Sequence, residues 1–240
     1  MTQDFLSDVE LYYSEAPVTN GEIQISGDEF HHINDVMRHQ AGDRIYVTDG
    51  HGVIYLAEIK YSEKKKTVLE IKDSKNYRNK FQLIWFCIPR LKSADRFEFA
   101  LEKCIELGIT NFIVFDSKRS VAKGEKIERW EKIAVAAMKQ SLRSWKPQIK
   151  FVKTLSEIYS FEGEKILFDQ KGERTLQQYI TQNGAIFNGR KYFIFGPEGG
   201  LADEELGNPD AIKLRLTENR LRSETAVVSA AAVLANNFSE

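Results

Sequence analysis

Cysteine is scarce in this chain: 240 residues hold only Cys87 and Cys104, in no metal-ligand spacing. That scarcity argues against a thiolate metal cluster and fits a reducing, cytosolic setting, with Cys87 inside the apolar run Phe81–Ile88 as a small buried thiol. Histidine is limited to His31, His32, His39 and His51, so nothing from Gly52 onward can serve as a histidine general base. No apolar run is long enough to span a bilayer, and the start Met1-Thr2-Gln3-Asp4 lacks the features of a signal peptide. A soluble, cytoplasmic protein is expected. Net charge is also nearly absent, 34 basic against 35 acidic residues, which excludes a global attraction to polyanions. Intrinsic disorder is excluded by the 42% of hydrophobic residues, enough for one large domain or two small ones.

The balance of charge is not uniform. Up to Lys72 the chain carries 7 basic and 13 acidic residues, whereas Lys118–Lys153 carries 11 basic and 3 acidic ones. One concentrated basic stretch on a balanced chain suits a localised anionic partner.

The first third reads as short strands at 23–25, 44–48, 53–59 and 67–71, with Asp49-Gly50-His51-Gly52 as a hairpin turn. Phe30, Ile33 and Met37 share a helical spacing between the capping candidates Ser26 and Asp28 and the closing Ala41-Gly42-Asp43. The polar stretch 73–80 marks a domain boundary, giving a small β-domain over 1–72 and a second domain over 73–240.

Strands and helices alternate in the second part. The strands are expected at 81–88, 111–115, 149–152, 165–168, 191–195 and 212–216. Helices are expected from Ser93 to Gly108, over 126–144, 175–181 and 203–206, and from Ser223 to Phe238. Such alternation predicts a parallel α/β sheet.

Ligands of open α/β sheets collect beyond the carboxyl ends of the strands, so the loops after Phe195 and Leu216 are the places to inspect. The first, Phe195-Gly196-Pro197-Glu198-Gly199-Gly200-Leu201, is neither a dinucleotide fingerprint nor a P-loop. It reads either as an ordinary strand-to-helix turn or as a backbone cradle stiffened by Pro197. The second, Thr217 to Ala226, holds Ser223 as N-cap and Glu224 and Thr225 in a first helical turn. Capping accounts for Ser223 and Thr225 and competes with a functional role for Glu224. Arg222 is different, because a cation there opposes the helix dipole and so suggests an anionic partner. His31-His32 reads as a helix-surface pair, no acidic or cysteine ligands accompanying it. Lys139 to Lys146 reads as a solvated helix face or, with Trp145 interleaved, as a phosphate-contacting surface.

Gly196-Pro-Glu-Gly-Gly200 and Leu221-Arg-Ser-Glu-Thr-Ala226 together resemble the motifs of the ribosomal RNA small subunit methyltransferase E family of the SPOUT superfamily. Arg90-Leu-Lys92, Glu106-Leu-Gly108, Arg119-Ser-Val121, Lys139-Gln-Ser141, His31-His32 through Arg38 and Gly42-Asp-Arg44 extend the resemblance over nearly the whole chain, in order. Leu142 stands where the family usually has glycine, and Ser223 where threonine is usual.

The resemblance implies a PUA-like β-barrel followed by a trefoil-knotted parallel α/β methyltransferase domain that dimerises. It also implies S-adenosylmethionine as methyl donor, with N3 of a uridine in 16S rRNA of the assembled small subunit as target. On that footing Phe195, Gly196, Glu198, Gly199, Gly200, Leu216, Leu221, Ser223 and Thr225 are expected around the cofactor. Arg222 is expected to stabilise charge and Glu224 to act as base, Glu198 being the alternative. Arg38, Lys92, Arg119, Lys139 and Arg143 are expected to contact RNA, and no metal is called for. A SPOUT enzyme methylating ribose 2′-hydroxyls and a non-catalytic RNA-binding module are the competing readings.

Overall fold

A computed structural model describes residues 9–183 and 188–238 and divides the chain into two compact units. One comprises the described residues up to Asn79 together with Val135–Lys146; the other comprises Lys80–Ala134 and the described residues from Pro147.

In the first unit, β1 (Leu11–Tyr13), β2 (Glu22–Ser26), β3 (Arg44–Thr48), β4 (Val53–Glu63) and β5 (Lys66–Asn76) form one sheet in the order β1-β3-β4-β5-β2. All neighbours are antiparallel except β1 with β3. Inward residues alternate along the strands as a half-buried sheet requires, and Ile23, Ile25, Ile45, Val47, Ala57, Ile59 and Leu69 make the core with Tyr12 and Ile33. Asp49 closes the expected turn, its carboxylate accepting from the His51 N–H at 2.7 Å and from the Tyr55 hydroxyl at 3.0 Å. Strand β1 has no counterpart in the sequence reading, since three residues are too few to show a period.

Two expectations change here. The helix α1 (Gly27–His31) runs into a π-helical turn, His32–Val36, rather than continuing as an α-helix. The wider turn shifts the face: Ile33 is buried, while Met37 is 41% exposed. The division expected at residue 72 also falls inside β5, whose polar end pairs with β4 as far as Asn76 opposite Val53. Its side chains there are largely exposed, so polarity marks an exposed strand end, not a linker.

In the second unit, seven strands lie in the order β10-β12-β9-β11-β6-β7-β8, all parallel. They are β6 (Ile84–Pro89), β7 (Asn111–Phe115), β8 (Gln148–Val152), β9 (Glu164–Phe168), β10 (Arg174–Thr175), β11 (Lys191–Ile194) and β12 (Ile212–Arg215). Helices α2 (Ala94–Glu106), α3 (Ile127–Gln140, of this unit as far as Ala134), α4 (Leu155–Ser160), α5 (Leu176–Asn183), α6 (Asp203–Leu206) and α7 (Ser223–Asn237) alternate with them. Strand β6 is wholly buried, as a continuous apolar run in a covered parallel sheet should be. Helix α2 begins and ends on its expected signals: the Ser93 hydroxyl accepts from the Arg96 N–H, and Gly108 takes a φ of 94° just beyond its end. Both cysteines are fully buried, and burial pushes both thiols up, so neither is a ready nucleophile.

Helix α3 stops at Gln140 because the chain turns left-handed at Leu142, with φ 56°. A left-handed non-glycine residue costs about 1–2 kcal/mol. Leu142 offsets this by packing on Leu11 and Ile54 beside Val9, Tyr46 and Tyr77, all in the first unit. Leu142→Ala, which keeps the strain and loses the packing, should therefore unfold at lower denaturant. Leu142→Gly, which loses both, should be more stable than Leu142→Ala by about 1 kcal/mol. Equal midpoints for the two variants would show that the turn stores no strain. Trp145, three residues on, is not free to stack on a base: its indole N–H donates to the Tyr77 carbonyl at 2.9 Å. Its ring lies where a side chain on Gly52 would clash, at 2.4 Å.

Candidate functional site

The loops that leave β9, β11 and β12 at their carboxyl ends converge on a pocket of about 620 Å³ within the second unit. The loop after β11 is central. Phe195 anchors it: its N–H donates to the Cys87 carbonyl at 3.0 Å, and its ring stacks on Phe168 at 4.9 Å. From there Gly196, Pro197, Glu198 and Gly200 reach the pocket wall. The Gly200 N–H closes a turn onto the Pro197 carbonyl at 2.8 Å, and a φ of 71° at Gly200 makes glycine the natural choice there.

The loop after β12 forms the facing wall with Leu216, Thr217 and the run Asn219–Ser223. One contact ties the two walls together: the Ser223 hydroxyl donates to the Gly196 carbonyl at 2.6 Å. A residue expected as a helix cap thus spends its hydroxyl on the neighbouring loop. The N-cap position itself is taken by Arg222, whose backbone is extended and whose side chain is exposed at the pocket wall.

Glu224, in the first turn of α7, is 8% exposed. Its Oε1 lies 3.6 Å from Nε of Arg96, while its buried Oε2 has no hydrogen-bond partner. Arg96 lines the pocket, whereas Glu224 is buried beside it and is not part of the pocket wall. Glu198 accepts from the Lys92 N–H at 3.2 Å. The loop carrying Lys92 is held by Arg90, buried against the rings of Phe97 and Trp130 at 5.6 and 5.1 Å, and burial lowers the pKa of its guanidinium.

Several expected residues take other places. Phe195 lies beneath the pocket, and Gly199 and Thr225 are exposed away from its wall. Arg119 does not project freely, because its guanidinium donates to the carbonyls of Leu201 at 3.2 Å and Gly199 at 3.5 Å, bracing the glycine loop. Lys139 pairs with Glu29 inside the first unit. In that unit Arg38 is exposed with a left-handed φ of 57°, and Arg143 follows the end of α3, where burial lowers the pKa of its guanidinium. In the second unit the Lys92 side chain is exposed.

Two contributors escaped the sequence. Asp169, Gln170 and Lys171 line the pocket because β9 lies between β11 and β12, an adjacency that chain order does not reveal. Gly172 was the available signal: a side chain on it would meet the Leu214 carbonyl carbon at 2.5 Å. Glu205 is the other. Its buried carboxylate accepts from the Ser117 hydroxyl at 3.0 Å and from the N–H groups of Lys118 and Ala202, both at 2.9 Å. It thereby clamps the loop after β7 to the end of the glycine loop. No cluster able to hold a metal ion occurs among the described residues.

The pocket wall is mixed: Arg96, Lys171, Arg215, Arg220 and Arg222 stand against Asp169 and Glu198, and Phe168, Pro197, Leu201, Leu206, Leu216, Leu221 and Ala226 make a larger apolar part. A small organic molecule with an anionic portion suits such a wall.

The family model described as RNA methyltransferase domain matches residues 78–235, and the one described as RNA methyltransferase PUA domain matches residues 25–72. The chain is 28% identical over 249 residues to ribosomal RNA small subunit methyltransferase E of Bacillus subtilis (strain 168), covering 98% of this chain and 96% of the relative. It is 28% identical over 195 residues to the protein of the same name from Aquifex aeolicus, covering 77% and 82%. A probable rRNA-methyltransferase from Porphyromonas gingivalis is similar in structure, with a TM-score of 0.78 at 26% identity over 95% of this chain and 98% of that one. The fold is shared with ribosomal RNA small subunit methyltransferase E from Neisseria gonorrhoeae, bound to S-adenosyl methionine, at a TM-score of 0.82 and 24% identity over 96% and 98% of the two chains.

Proposed function

This chain belongs to the RNA methyltransferase family, and from that premise we propose that it methylates N3 of a uridine in 16S rRNA with S-adenosylmethionine as donor. The observation that carries the reading is the hydrogen bond from Ser223 to Gly196, which joins the two motif loops into one pocket. The relatives named above share the ribosomal RNA substrate by name, and one solved relative holds the donor.

The donor fits the residues present. The wall offers glycine backbone and a patch of leucines around a cavity of about 620 Å³, room for a molecule of that size. Gly196, Gly200, Leu216, Leu221 and Ser223 would hold the donor against backbone and apolar side chains, with Phe195 supporting the cradle from below. When bound, S-adenosylmethionine supplies an electrophilic methyl group on a sulfonium, so positioning is the protein's main task.

Uracil N3 becomes a nucleophile only when its proton leaves. Glu224, beside Arg96, accepts that proton in this reading, and Arg222 stabilises the negative charge that develops on a uracil carbonyl oxygen. The target base must leave its stack to enter the pocket, so the nucleotide is turned out of the RNA. The exposed Arg38 and Lys92 add phosphate contacts, whereas Arg143 is held within its own unit. Arg119, engaged with carbonyls, braces the glycine loop, and Lys139, in the last turn of α3, is engaged with Glu29.

The trefoil knot, homodimer, assembled small subunit and cytoplasmic location implied by the resemblance belong to the same reading. Nucleoside mapping of small-subunit rRNA from a strain lacking this gene tests it. One N3-methyluridine should disappear and return on complementation. Retention of that nucleoside, or loss of a ribose methyl group instead, would overturn the assignment.

A further inference from the structure

The charge of the pocket exceeds what the proposed donor can use. Five cations line it against two carboxylates. S-adenosylmethionine brings a sulfonium, an ammonium and one carboxylate, so it is itself a net cation and adds to the excess.

Two of the five cations are already engaged. Arg96 lies 3.6 Å from Glu224, and Arg215 donates to the carbonyls of Gly172 at 2.9 Å and Glu173 at 2.7 Å. Arg222 stands at the N-cap of α7, in the charge-stabilising role proposed above. Lys171 and Arg220 remain. Both are exposed, and the side chain of neither makes an ion pair or hydrogen bond among the described residues. They are also neighbours by construction: the loop of Lys171 reaches the loop of Arg220 through Gln170 Nε2, which donates to the Glu218 carbonyl at 3.4 Å. Just before it, the Asp169 N–H donates to the Leu214 carbonyl at 2.9 Å. Two cations whose side chains have no partner among the described residues therefore sit on joined loops at the rim of the pocket.

We propose that Lys171 and Arg220 hold backbone phosphates of the RNA beside the target nucleotide, so that the rim of the pocket orients the strand whose base enters it. This rests on the reading of the pocket as a uridine methylation site. Flexible Lys and forked Arg suit phosphate oxygens and carry no sequence information, so they set the register of the strand while the pocket selects the base.

The test uses the full chain, 16S rRNA transcribed in vitro and the double variant Lys171→Gln, Arg220→Gln. Affinity is measured across a salt series. Each phosphate contact on a single strand contributes about 0.7 to the slope of log affinity against log salt, so the variant's slope should be shallower by about 1.4. Its affinity for S-adenosylmethionine by calorimetry should equal that of the wild type, and Arg220→Lys alone should keep the wild-type slope. An unchanged slope in the double variant overturns the proposal, as does weakened donor binding with an unchanged slope, which would assign the two cations to the donor's carboxylate. Should the wild type leave uridine N3 unmethylated while the slope still shifts, the uridine reading fails and the phosphate contact stands.

Discussion

Arg222→Ala should slow methyl transfer to 16S rRNA by about 100- to 1,000-fold at saturating RNA while leaving S-adenosylmethionine affinity near the wild-type value. The size follows from what the side chain is placed to do. Arg222 occupies the N-cap of α7, where the helix dipole disfavours a cation by about 0.3–1 kcal/mol, and its guanidinium is exposed at the pocket wall. A cation held at that cost is useful where negative charge appears, and removing a preorganised partner of developing charge lowers the rate more than the affinity. Arg222→Lys should recover part of the rate, since the charge returns without the fork. Wild-type turnover by Arg222→Ala would remove the charge-stabilising role.

Glu224→Gln carries the second large effect, a fall of about 100- to 10,000-fold in the same assay. The substitution keeps the size of the side chain and abolishes its ability to take a proton. It also loses the charge that faces Arg96 at 3.6 Å from a buried position, so the unfolding midpoint of the variant is measured beside its rate. Glu198→Gln separates the roles of the two carboxylates. Glu198 already accepts from the Lys92 N–H, so its amide variant should disturb the loop mildly and retain most of the rate. If Glu198→Gln is the crippled variant and Glu224→Gln turns over normally, the assignment of the base reverses.

Much of this was written in local sequence. The apolar run around Cys87, the Ser93 and Gly108 signals of α2, and the Asp49 to Gly52 turn each act within a few residues, where periodicity, capping and turn chemistry are decisive. The positions of the two motif loops were legible for a similar reason, because parallel strands end on one side of their sheet. The contents of the pocket were less so. Asp169–Lys171 enter it through strand order, and the partners of Arg119 and Lys139 are set by the fold, because charge in a sequence says nothing about its partner. Met37 left its face because one π-helical turn breaks a period of 3.6. Leu142 holds a glycine conformation through packing that only the fold supplies. Ser223 shows the limit most clearly: its place at the start of α7 was visible, whereas the carbonyl it binds, 27 residues away in sequence, was not.

The central claim, that the loops at Gly196 and Ser223 close one donor site, is tested most directly by titrating S-adenosylmethionine into the wild-type chain and Ser223→Ala in a calorimeter. One site per chain is predicted for the wild type. The variant should bind about tenfold more weakly, as the loss of one hydrogen bond of about 1.4 kcal/mol between the loops requires. A folded wild-type chain that takes up no donor, or a variant with undiminished affinity, would contradict the claim.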